Sequence, residues 1–95
     1  MQGPSDAFVA IADDEHIRQE RARARELRRS QWWKRQRAKG TCHYCGGRFP
    51  ARALTMDHVV PLVRGGRSTK GNVVPACRAC NTAKKYKLTW ERPPT

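Results

Sequence analysis

Ninety-five residues, 38% of them hydrophobic, amount to one small domain at most. The later half alone falls below the size at which an apolar core usually suffices, so a staple is needed. Twenty Lys and Arg against eight Asp and Glu give a net charge of +12 and a pI near 10.6, which favours a polyanionic partner, nucleic acid before an anionic membrane surface. No stretch approaches a membrane span: the best apolar run, Ala7 to Ala12, is short and is followed by acids rather than a cleavage site. The expectation is a cytoplasmic chain without a membrane partner.

In chain order, residues 1–12 read as poorly ordered, and residues 13–40 read as one long basic helix with its stop. Asp13, Asp14 and Glu15 open it, arginines fill it, and Lys34, Arg35, Arg37 and Lys39 precede Gly40. That charge order suits the helix macrodipole, and the glycine suits a C-terminal cap. The apolar stripe is thin: Ile17, Ala24 and Leu27 share a face, and only Trp32 and Trp33 add bulk near the end. A mostly solvated helix anchored at one end is expected. It can either lie along a phosphate backbone or form an ordinary exposed helix with pairs such as Glu26 and Arg29. The two tryptophans are expected to pack on the following module or against a second copy, so monomer and homodimer both stay open.

The staple comes next. Four cysteines form two C-x-x-C pairs, Cys42–Cys45 and Cys77–Cys80, separated by residues 46–76 with no cysteine left over. Each pair offers two thiolates from one turn, and four close a tetrahedral shell around a structural zinc ion. Two disulfides in a secreted protein are the competing account, disfavoured by the lack of a leader-like segment. Zinc binding of this kind contributes on the order of 10 kcal/mol to folding. A closed Cys₄ shell is not itself catalytic. His43, inside the first pair, is expected to stay outside the shell.

Residues 41–90 form the predicted module. Leu54 to Val60 reads as a strand ended by Pro61, residues 62–71 as a basic glycine-containing loop, Val73-Val74 as a second short strand leading to Cys77, and Ala79 to Lys87 as a helix. Residues 91–95 are a tail. The order is strand, loop, strand, helix, with the cysteine pairs bracketing the hairpin. The whole is a small α+β domain stapled by zinc, and Asn81, next to a zinc ligand, comes near the first strand. From Cys42 onward ten Lys and Arg are accompanied by two acids, Asp57 and Glu91. Asp57 is therefore an isolated carboxylate in a cationic field, directly before His58.

The ordered set Cys42-x-x-Cys45, Asp57-His58-Val59-Val60-Pro61-Leu62, Gly65-Gly66, Gly71-Asn72-Val73-Val74-Pro75 and Cys77-Arg78-Ala79-Cys80-Asn81-x-x-Lys84 resembles the HNH endonuclease family with its ββα-metal core. The likeness covers residues 42 to about 87 and leaves the N-terminal helix out. It implies a metal-dependent endonuclease hydrolysing DNA phosphodiester bonds to 5′-phosphate and 3′-hydroxyl ends. His58 would be the general base, with an ordinary pKa of about 6.5 that leaves much of it able to accept a proton at neutral pH. Asp57 would be a ligand of the catalytic ion. Neighbours on a strand point to opposite sides, so the two can flank a scissile phosphate. Asn72 matches the asparagine that fixes the loop and so orients the histidine. Asn81 matches a second metal ligand, histidine in many relatives. Asp57 with Asn81 is an all-oxygen pair suited to Mg²⁺ or Mn²⁺. Lys84 matches a helix lysine that can meet a phosphate, and Lys85, Arg64, Arg67 and Arg78 are the other candidate substrate-binding cations.

Each residue has an ordinary reading as well. Asp-His pairs occur in hydrogen-bonded turns, Asn after Gly is a turn residue, and Asn81 can cap a helix. It is the conjunction with the cysteine pairs that carries the functional reading. Two rivals remain: a zinc module that only binds nucleic acid, and an RNA-cleaving or toxin-like nuclease on the same core.

Overall fold

A computed structural model describes residues 12–84. The first helix, α1 (Asp14–Arg28), starts where Asp13 caps it, its carboxylate accepting from the His16 N–H at 2.9 Å. Acids fill its first turn and arginines its last. The single long helix expected over residues 13–39 is in fact two, because α2 (Gln31–Ala38) follows a break at Arg29-Ser30. Ser30 is the cause. Its hydroxyl donates to Leu27 O at 2.7 Å and accepts from Trp33 N at 3.1 Å, closing one helix and capping the next. Gly40, at φ 72°, stops α2 as expected, and a side chain there would press on Phe49 O.

Trp33, on α2, is 1% exposed, where α2 meets the second strand and the 3₁₀ turn Ala51–Ala53. It is spent inside the chain and cannot serve a contact with a second copy. Trp32 is half-buried, with Lys70 Nζ 5.6 Å from its ring centre.

Strands β1 (Leu54–His58) and β2 (Val73–Cys77) pair antiparallel, with Asp57 opposite Val74 and His58 opposite Val73. The helix α3 (Arg78–Lys84) leaves β2 without an intervening loop, giving a ββα unit within a small α+β fold. The first strand ends two residues earlier than expected, since the Asn72 side chain takes over the Val60 backbone. Its Oδ1 accepts from Val60 N at 2.9 Å and its Nδ2 donates to Val60 O at 3.1 Å and Arg67 O at 2.8 Å. Residues 85–87 of the expected helix, and the expected disorder of residues 1–11 and 91–95, lie outside the described residues. The core under the sheet is Cys42, Leu54, Ala76, Cys77 and Cys80, with Tyr44 and Phe49 against it. So few side chains leave the thiols as a large share of the interior. Among the described residues no helix is long and apolar enough to cross a membrane.

Candidate metal centre and active site

The four thiols converge. The sulfurs of Cys42, Cys45, Cys77 and Cys80 lie within 4.8 Å of one another, three of the residues buried and Cys45 exposed. A zinc ion about 2.3 Å from each sulfur needs an S–S edge of about 3.8 Å, so the set fits a tetrahedral ion after a small closure. Burial pushes the Cys42 thiol up, yet the N–H groups of Cys45, Cys77 and Tyr44 and the Cys45 thiol outweigh it, and its pKa falls to about 6. The fold therefore favours a thiolate before any cation arrives. Two glycines make the first turn: Gly46, at φ 73°, donates to Cys42 O, and the Gly47 N–H points at Cys45 Sγ at 3.4 Å. His43 is exposed and stands edge-on to Tyr44, outside the cluster.

Across the sheet, a cavity of about 170 Å³ is lined by Asp57, His58 and Asn81 together with Met56, Leu62 and Arg21. The structure thus gathers three of the four expected catalytic residues at one wall. The fourth, Asn72, holds the loop by the three hydrogen bonds to Val60 and Arg67. Its carbonyl also accepts from Val59 N at 2.8 Å, directly after His58. Asn81 is fixed in orientation: its Nδ2 donates to Thr55 Oγ1 at 2.8 Å, and that hydroxyl donates to Ala76 O at 3.0 Å. The amide oxygen is then the Asn81 atom available to a cation.

Asp57 is 4% exposed and not alone. Tyr44 OH donates to its Oδ2 at 2.5 Å, and Lys84 Nζ lies 3.5 Å from the same oxygen. Lys84 is 0% exposed and donates to His58 O at 2.7 Å. The expectation that Lys84 meets a phosphate is therefore corrected: its ammonium is sealed behind the carboxylate, where an unpaired charge would be costly. Among the described residues no hydrogen bond reaches Asp57 Oδ1. With one oxygen from Asp57 and one from Asn81 on a common cavity, the donor set fits a hard divalent ion that keeps much of its hydration. Of the remaining candidate cations, Arg67 and Arg78 are exposed and Arg64 is half-buried, while Lys85 lies outside the described residues.

The sequence reading missed Tyr44, Ser68, Glu20 and Arg21. His58 Nε2 is 2.9 Å from Ser68 Oγ, and Ser68 is held by α1 through two hydrogen bonds to Glu20. Glu20 is 2% exposed. Its burial raises the carboxyl pKa, but the Ser68 N–H, Arg23 and His16 outweigh this and hold it below the ordinary range. His16, to which no role was given, meets Gly66 O through Nε2 at 2.8 Å. Gly66 leaves no room for a side chain, because a Cβ would sit 1.7 Å from Val60 O. Rather than being anchored at one end, α1 is docked along the loop beside His58. The missed acid had a signal: Glu20 falls three after Ile17 and four before Ala24, inside the apolar stripe.

A two-stranded sheet running straight into a helix, stapled by four clustered thiols and carrying an Asp-His pair over a shared cavity, defines a small zinc-type ββα domain. Residues 42–87 match the family model for HNH endonuclease, a family whose members act on nucleic acids. No curated protein matches the chain.

Proposed function

We propose that this protein is a divalent-metal-dependent endonuclease that hydrolyses DNA phosphodiester bonds, leaving 5′-phosphate and 3′-hydroxyl ends. The observation that carries this reading is the convergence of Asp57, His58, Asn81 and Arg21 on one cavity. His58 takes a proton from water as the water oxygen bonds to phosphorus; the bond from phosphorus to O3′ breaks, and O3′ leaves to become the hydroxyl. Asp57 and Asn81 would hold Mg²⁺ or Mn²⁺, which supplies Lewis-acid stabilisation of the leaving oxygen. Lys84 and Tyr44 hold the Asp57 carboxylate in place through its Oδ2. The rival, nucleic-acid binding without catalysis, draws on one observation: Asp57 already has an ammonium and a phenol as partners.

Supercoiled plasmid separates the two. Nicking or linearisation is expected with Mg²⁺ or Mn²⁺ and not with chelator, whereas a pure binder retards the DNA and leaves it intact. The pH profile adds a second reading. Burial lowers the His58 pKa; Asp57 and Glu20 raise it and Arg28 and Lys84 lower it, for a net depression. A base must be unprotonated, so the rate should hold as pH falls to the ordinary imidazole value of about 6.5 and decline only below it. A decline centred above that value would count against His58 as the base.

The substrate track is proposed to include α1. Arg18, Arg21, Arg25 and Arg28 recur at helical spacing within about 80° of arc. The first three line a shallow groove, and Arg21 also lines the His58 cavity. Since all four are exposed, Arg18→Ala/Arg25→Ala should leave the fold intact. It should weaken duplex binding whatever the sequence and flatten the salt dependence by roughly one unit of slope per lost phosphate contact. An unchanged slope would show that α1 faces water rather than DNA.

A further inference from the structure

His58 is held by Ser68, and Ser68 is held from outside the HNH segment. Ser68 Oγ donates to the main-chain O of Glu20 at 2.7 Å, and Ser68 N donates to Glu20 Oε1 at 2.6 Å. Arg23 Nη1 occupies the other carboxylate oxygen at 2.6 Å. Ser68 is 8% exposed and Glu20 2%, so these bonds are shielded from exchange with water. A hydroxyl has one proton to give. With that proton on Glu20 O, Ser68 Oγ can only accept from the ring nitrogen 2.9 Å away, His58 Nε2.

We propose that Ser68 and Glu20 are positioning residues that hold His58 in the tautomer protonated at Nε2, leaving Nδ1 as the proton acceptor, and that α1 is thereby part of the catalytic centre. This rests on the nuclease reading above. The arrangement suits a base that cycles. When Nδ1 takes the proton of the attacking water, the imidazolium still donates from Nε2 to Ser68, and when Nδ1 releases it the same bond remains. No hydroxyl has to turn over between the two states. The carboxylate of Glu20 fixes the main chain of Ser68, and its position in α1 fixes the carbonyl that claims the hydroxyl proton. One helical residue thus sets both the place and the polarity of the group behind His58.

Ring ¹⁵N chemical shifts of His58 in the zinc-loaded wild type, above its pKa, read the tautomer directly. The expected result is Nε2–H with Nδ1 unprotonated; Nδ1–H as the main form would overturn the proposal without reference to any variant. Ser68→Ala should then give a mixture of tautomers and lower kcat on a duplex oligonucleotide by roughly 10- to 100-fold. KM and gel-shift affinity should stay at the wild-type level, which a merely structural role would not leave untouched. Zinc content and circular dichroism verify the fold of the variant, and if it does not fold, the wild-type tautomer decides. An inactive wild type sinks the nuclease reading itself. An active wild type whose Ser68→Ala variant keeps its kcat sinks only this proposal.

Discussion

Cys45→Ser and Cys77→Ser should each abolish both zinc retention and the folded state. The two sites differ in packing: Cys77 is 5% exposed and part of the core, whereas Cys45 lies at the surface. A serine at Cys45 disturbs almost no apolar contact, so packing alone predicts a loss well under 1 kcal/mol there. Metal linkage predicts something else. Binding free energy on the order of 10 kcal/mol is folding free energy when the site forms only in the folded chain. That is as large as the whole stability of a typical domain, about 5–15 kcal/mol. Among the described residues the cluster around the thiols has few apolar side chains besides Leu54 and Ala76 to replace it. Metal analysis beside far-ultraviolet circular dichroism, on reduced protein with and without a zinc chelator, checks this. A folded and zinc-free Cys45→Ser would show that the sheet and its neighbours hold the domain unaided.

The zinc staple and the ββα order were legible because each rests on local chemistry. Paired cysteines at a spacing of three have few uses, and a β-branched run before a proline reads as a strand, although β1 stops at His58 rather than at Val60 because the Asn72 side chain takes the Val60 backbone. The grouping of Asp57, His58 and Asn81 was legible for the same reason, since the cysteine pairs bring the strand and the α3 start to one place. What stayed hidden depends on contacts between distant segments. Ser68 is one serine in a basic loop, and nothing around it in sequence says that it faces a histidine ten positions earlier. Lys84 read as a phosphate ligand because it matches a helix lysine of the resembled family; its burial follows from Asp57 and the His58 carbonyl both lying beneath α3. The division of the N-terminal helix turned on whether Ser30 bonds to its own backbone or to water, which sequence alone does not decide.

Glu20 is the instructive miss. An acid among arginines on a helix ordinarily makes surface pairs, as Glu15 does with Arg18 and Gln19. Glu20 makes one such pair with Arg23, yet its other oxygen lies inside the protein against Ser68 N. Among the described residues Asp57 is the one acid near His58 from the later half of the chain, and α1 adds a second, Glu20, although burial still leaves the His58 pKa depressed.

His58→Ala should leave a protein that folds, keeps zinc and binds DNA, but cuts it about 10²–10⁴-fold more slowly. The structure explains why the fold should survive. His58 is half-buried, and the bond that ties its position to α3 runs from Lys84 to its main-chain carbonyl, which alanine retains. Ser68 keeps its donation to Glu20 O and loses only an incoming bond. Removing Asp57 is a poorer probe. Asp57→Ala would strand the Lys84 ammonium in the interior, a loss that can reach about 3–5 kcal/mol and would mix misfolding with lost chemistry. Asp57→Asn keeps the shape and an acceptor for Tyr44, and should reduce cleavage while raised Mg²⁺ partly restores it. Nicking rates, gel-shift affinities and zinc content for wild type, His58→Ala and Asp57→Asn in one buffer give the decision. If His58→Ala cuts at the wild-type rate, His58 is not the base. If it cuts slowly only because zinc or DNA affinity is lost as well, the histidine is structural and nucleic-acid binding without catalysis becomes the better account.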